Sequence, residues 1–159
     1  MSVIDLMQQS SLFFLGSTLV FGLIVGSFLN VVILRLPRHM RAELGEACAD
    51  LRGEDAEPMA NRWFGLDYLI SPPSTCPNCG HAIRAWENIP LLSWVLLRGR
   101  CSSCKTRISK RYPLVEAISG IAFLLVAIQF GPTLQCAAAL ALTAWLIALS
   151  GIDLDHQML

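Results

Sequence analysis

Three apolar runs enclose one charged segment, and that layout restricts the chain more than any other feature. Residues 12–34, LFFLGSTLVFGLIVGSFLNVVIL, contain no charged side chain. At about 1.5 Å of rise per residue they are long enough to cross about 30 Å of hydrocarbon as a helix. Residues 114–130 and 134–152 are also apolar, with Glu116 near the start of the first, and only Gly131-Pro132-Thr133 lies between them. A breaker that short is a tight turn, so the two runs read as a helical hairpin. Composition agrees: 54% of the 159 residues are hydrophobic and 15% charged, and the mean hydropathy is +0.54, beyond the usual share for a soluble domain. A cleaved signal peptide is a poor account of the first run, because Asp5 and no basic residue precede it and the run is too long.

The formal net charge is zero, which argues against an electrostatic nucleic-acid partner. Charge placement is the informative part. All 12 Lys and Arg residues lie from Arg35 to Arg111. The excess of cations in loops facing the cytoplasm then puts the middle segment, residues 36–113, in the cytoplasm and the N-terminus on the far side. The expected fold is an all-α polytopic membrane protein with three transmembrane helices and a small cytoplasmic insertion. Its parts are 1–37 with the first helix, the loop 38–113, and 114–159 with the other two. Asp153 and Asp155 in SGIDLDHQML then fall at the cytoplasmic membrane surface.

Within the loop, residues 38–57 are charged, Ala-rich and helix-favouring, and 61–70 are amphipathic, suited to a membrane surface. Cys76-Pro77-Asn78-Cys79 and Cys101-Ser102-Ser103-Cys104, with 21 residues between the pairs, have the spacing of a four-thiolate zinc module over 76–104. Disulfides fit a reducing compartment poorly. A redox motif would explain one pair only and lacks its βαβ setting. Four protein sulfurs leave no position for water, so the expected zinc is structural. His81 beside the first knuckle reads as a polar neighbour, and Cys48 and Cys136 as structural thiols. Between the knuckles, ENIPLLSWVLLRGR carries an apolar patch at 91–97 suited to docking on the membrane or on the helices.

Gly22, Gly26 and Asn30 recur every four residues and share one face of the first helix, with Ser27 close by. Small residues permit close helix approach, and a buried amide seeks a partner on the neighbouring helix. Asn30 is therefore a candidate for ordering a nearby site. Glu116 is a candidate for the same role, although the dipole of its own helix accounts for a carboxylate at the start.

GSFLNVVILRLP at 26–37, the paired knuckles, ENIPLLSW, RISKRYPLVEAISG and DLDHQML, in this order, closely resemble the bacterial type IV prepilin peptidases. Outside 38–70 the resemblance covers nearly the whole chain. It implies a bifunctional inner-membrane enzyme serving type IV pili and type II secretion. Such an enzyme cleaves prepilins and pseudopilins, which carry a basic leader before an apolar helix, at the cytoplasmic face. It then methylates the new N-terminal residue from S-adenosylmethionine. The family's two catalytic aspartates map by this resemblance onto Asp153 and onto a Gly-x-Gly-Asp in a later helix. That motif is absent from these 159 residues, so the chain is expected to be an N-terminal fragment, inactive alone as a peptidase.

Two aspartates are needed because one takes a proton from water while the other, protonated, polarises the scissile carbonyl. Asp155 is the rival to Asp153. Two positions along a helix place them about 200° apart, so they do not form the dyad together while the helix persists. Asp153 is deeper and is the preferred catalytic residue, with Asp155 a supporting or helix-end charge and His156 a solvated neighbour. A non-catalytic zinc-bearing membrane adaptor, or pseudoenzyme, is the competing function. No Gly-rich nucleotide loop marks a methyl-donor site.

Overall fold

The computed structural model describes residues 11–52, 69 and 73–156. The described chain is helical: α1 (Ser11–Arg52), a 3-10 turn (Ala85–Asn88), a short α2 (Leu92–Leu96), α3 (Arg111–Phe130) and α4 (Leu134–His156). Among the described residues the only β-pairing is two isolated bridges. Three of these helices are long and apolar enough to cross a membrane, the relevant stretch of α1 being Ser11–Ala42. The amphipathic segment expected at 61–70 lies outside the described residues apart from Leu69.

Helix α1 does not stop at residue 34 or at the 37/38 boundary. It runs through Pro37 into the charged stretch, so the first span and the start of the loop are one rod. Proline removes the N–H that would bond the carbonyl four residues earlier, a loss that neighbouring packing can absorb. Here the Pro37 ring is fully buried. The adjacent turns are anchored, with Asn30 Nδ2 donating to the Tyr112 carbonyl at 3.1 Å and Arg35 Nη1 to the Leu69 carbonyl at 3.0 Å.

The face carrying Gly22, Gly26 and Asn30 is the one that meets α3. A Cβ on Gly22 would lie 2.7 Å from Phe123 Cβ, and one on Gly26 would lie 2.8 Å from the Glu116 Cα. The small-residue spacing thus lets the two backbones approach as helices do in membranes. On α4, Gly151 makes room for Ile33, whose Cδ1 would sit 2.5 Å from an added Cβ. Leu29, Ile33 and Ile152 form the buried centre, flanked by Val25, Leu36, Val115 and Ile147. Outward-facing Ile121, Leu125, Ile128, Leu142, Trp145 and Leu146 remain exposed, as lipid-facing side chains would.

The hairpin turn is as short as the sequence requires. Gly131 adopts φ +60° and donates its N–H to the Ala127 carbonyl at 2.9 Å. Thr133 Oγ1 accepts the Cys136 N–H at 3.2 Å, capping α4. The glycine contacts make a paired prediction. Gly16→Ala, with nothing within 4 Å of the new Cβ, should stabilise the helix by up to about 1 kcal/mol. Gly26→Ala should destabilise by about 1–3 kcal/mol through overpacking. Thermal unfolding in one detergent checks both, and equal shifts of the same sign would contradict the packing.

Candidate metal centre and membrane-edge carboxylates

The two knuckles repeat one backbone design. In the first, the Cys76 N–H donates to the His81 carbonyl and the Gly80 N–H to the Cys76 carbonyl, both at 2.9 Å. In the second, Cys101 N–H reaches the Thr106 carbonyl at 2.9 Å and Lys105 N–H the Cys101 carbonyl at 3.1 Å. The bridges Thr75 to Ala82 and Arg100 to Arg107 close the two loops. Asn78 Nδ2 donates to Thr106 Oγ1 at 2.9 Å and joins them. The residue after each second cysteine is left-handed, Gly80 at φ +69° and Lys105 at φ +59°. Glycine accepts this conformation freely and lysine does not.

Cys76, Cys79, Cys101 and Cys104 bring their four Sγ atoms within 4.8 Å of one another. Cys76 and Cys104 Sγ are 3.8 Å apart. A tetrahedron with sulfurs about 2.3 Å from a central ion has edges of about 3.8 Å, whereas a disulfide bond is about 2.05 Å long. The donor set therefore fits one thiolate-bound metal ion. The Thr106 hydroxyl and N–H, with the Asn78 amide, hold Cys104 down to about 5. At Cys79 the His81 N–H acts in the same direction, but neighbouring Cys104, desolvation and the other sulfurs outweigh it and push the thiol up to about 11. Four sulfurs this close resist ionising together, and a central cation removes that repulsion.

His81 does not join the sulfur cluster. Its Nε2 lies 3.2 Å from Ser102 Oγ and 3.4 Å from Glu87 Oε2. Glu87 in turn accepts the Arg84 N–H at 2.9 Å. That bond, the Ser102 hydroxyl and the His81 charge hold its carboxyl below the ordinary range. Both polar contacts fall on the same histidine nitrogen, so this is a structural brace and not a relay through the ring.

The module is fastened to the helices by Glu116. Because α3 begins at Arg111, no acidic residue lies in its first turn, and the helix dipole does not explain this carboxylate. Glu116 is buried, and its Oε2 accepts the Leu91 N–H at 2.8 Å. Leu91 is left-handed, φ +56°, a strained state for a branched residue that a directed hydrogen bond can hold. Nothing in the sequence pointed to this partner, since the two residues are 25 positions apart. Asn30 bonds α3 through Tyr112 and makes no contact with the aspartates among the described interactions.

Helix α4 runs unbroken to His156, so Asp153 and Asp155 do point to different sides. Asp155 pairs with Arg111 at the start of α3. Asp153 is half-buried, next to core residue Ile152, and has no hydrogen-bond or ion-pair partner among the described residues. The Arg111 pair puts the end of α4 beside the start of α3, the end at which Glu116 holds the cysteine module. Both candidate features therefore occupy one end of the helical hairpin.

Residues 20–130 match the bacterial peptidase A24 N-terminal domain. The chain belongs to that family. It is 49% identical over its whole length to a prepilin leader peptidase/N-methyltransferase of Stutzerimonas stutzeri, covering 54% of that protein. With the Pseudomonas aeruginosa protein of the same name it shares 46% identity, again over the whole chain and 53% of the relative. A type 4 prepilin-like proteins leader peptide-processing enzyme of Escherichia coli is 47% identical over 87% of this chain and 48% of its own length. The chain thus spans about half the length of the curated relatives it matches. No solved structure matches it.

The left-handed lysine gives this site its test. Lys105→Gly removes about 1 kcal/mol or more of backbone strain and should slow loss of bound metal to a chelator. Faster loss would show that the Lys105 side chain, whose Nζ donates to the Ser102 carbonyl at 3.0 Å, matters more than φ.

Proposed function

We propose that this chain is the part of a bacterial prepilin leader peptidase/N-methyltransferase that carries its structural metal module and the first aspartate of its catalytic dyad. The observation that carries the reading is the unequal treatment of the two carboxylates. Asp155 is neutralised by Arg111, whereas Asp153 stands half-buried and unpartnered among the described residues. A carboxylate committed to an ion pair is occupied as a counter-ion, whereas one without such a partner at an apolar edge is open to water, to substrate and to a second carboxylate.

In this reading Asp153 activates water, or polarises the scissile carbonyl, opposite a second aspartate from a part of the enzyme beyond these residues. The scissile bond follows the basic leader of a type IV prepilin or type II secretion pseudopilin, whose apolar helix lies in the membrane alongside α4. Residues 36–113 and the aspartates are assigned to the cytoplasmic side of the inner membrane and the N-terminus to the periplasm, from the confinement of all 12 cations to the stretch from Arg35 to Arg111.

The ion assigned to Cys76, Cys79, Cys101 and Cys104 is zinc. All four positions of a tetrahedral ion are taken by sulfur, so it holds the module together and supplies no hydrolytic water. Methyl transfer from S-adenosylmethionine is assigned to the whole enzyme from its relatives' names, and to no residue of this chain.

In the full-length enzyme, Asp153→Asn should reduce prepilin cleavage by more than about a thousandfold. Asp155→Asn should keep cleavage within about tenfold of the parent. Methylation of already cleaved pilin should survive Asp153→Asn, which separates loss of the dyad from loss of fold. Wild-type cleavage by the Asp153→Asn enzyme, properly inserted in the membrane, would remove Asp153 from the chemistry.

A further inference from the structure

The outer face of the cysteine module is apolar where a water-facing module would be polar. Leu92, Val95 and Leu96 are 52%, 63% and 70% exposed. Their i, i+3, i+4 spacing puts them on one side of α2. The opposite side is occupied by Trp94, whose ring a Cβ on Gly99 would approach to 2.8 Å. The apolar side is therefore presented outward by packing on the inner side, not left over by loose folding.

Its depth follows from the Glu116 bond. Leu91, immediately before α2, is held against Glu116, and Glu116 lies about 7.5 Å along the helix axis from Arg111, toward the centre of the span. Leu114 and Ile118, on the neighbouring turns of α3, are exposed, as side chains in contact with lipid would be. The Glu116 anchor thus sets α2 at the depth interfacial helices reach, about 5–10 Å into the headgroup and acyl boundary.

Charge accompanies it. The Arg100 to Arg107 bridge sets two guanidinium side chains directly opposite on one face, an arrangement that is unfavourable for like charges. Both are exposed, as is Arg98, and neither bridge arginine has an acidic partner among the described residues. An anion between them relieves the repulsion.

We propose that α2 and the Arg100–Arg107 pair form a docking surface for an anionic bilayer leaflet. Leu92, Val95 and Leu96 enter the acyl boundary and the two arginines share a phospholipid phosphate. The module then rides on the membrane beside α3 and does not hang in water. This inference rests on α3 crossing the membrane and not on the peptidase reading.

The test is a photo-crosslink in the full chain. Benzoylphenylalanine replaces Leu96, or in a second variant Val95, and the protein is reconstituted in vesicles of phosphatidylglycerol and phosphatidylcholine. The same probe at Leu125 on α3 reports insertion. The adduct at 95 or 96 should be a lipid acyl chain. Its yield should fall at least about fivefold when Arg100→Gln and Arg107→Gln are combined, with no such fall in phosphatidylcholine alone. An adduct to another protein segment or to a second copy would overturn the proposal. So would absence of a lipid adduct at both positions while Leu125 labels, or a yield indifferent to the arginine pair.

Discussion

The hydrogen bond from the Leu91 amide to the buried Glu116 carboxylate holds this structure together as one object. The cysteine module is too small to build a core of its own, and its sulfur cluster orders only the two knuckles. What fixes those knuckles relative to the helices is a carboxylate in the second turn of α3, at the layer where Gly26 lets α1 approach the α3 backbone. The carboxylate side of the contact is buried, a setting in which a single directed bond gains strength. It also stabilises a leucine in a backbone state that leucine rarely adopts.

The hairpin depends on the same end of α3. Arg111 reaches Asp155 and Tyr112 offers its carbonyl to Asn30, so consecutive residues tie α4 and α1 to one helix start. The consequence for chemistry is selective. One carboxylate of DLDH is engaged as a structural counter-ion and the other is left half-buried beside Ile152. That difference is what the proposed role of Asp153 rests on.

Much of this was legible in the residues. Apolar run lengths located the three spans, two of them to within a turn at both ends, because hydrocarbon thickness leaves little freedom; the first runs on from residue 34 to Ala42. The cysteine spacing identified the four-sulfur cluster, because ligand geometry is local. The four-residue recurrence of Gly22, Gly26 and Asn30 identified the helix contact. The missed features are long-range or compensated locally. Pro37 reads as a boundary, yet it is buried inside a continuous α1 whose flanking turns are anchored elsewhere. Glu116 reads as a dipole effect, since its actual donor is the amide of a leucine, and a main-chain donor carries no sequence signature. The Arg111–Asp155 pair was equally hidden, because either charge alone suits a membrane edge.

Amide exchange at Leu91 is the decisive observation. With Glu116 in place, this amide should exchange slowly in the detergent-solubilised or reconstituted protein. Glu116→Ala leaves a buried donor unsatisfied, at a cost of about 1–3 kcal/mol, and should speed exchange at Leu91 by at least about tenfold while amides in the middle of α1 keep their protection. Unchanged protection at Leu91 in that variant would mean that the module is held by something else and that the shared placement of metal site and aspartates has another cause.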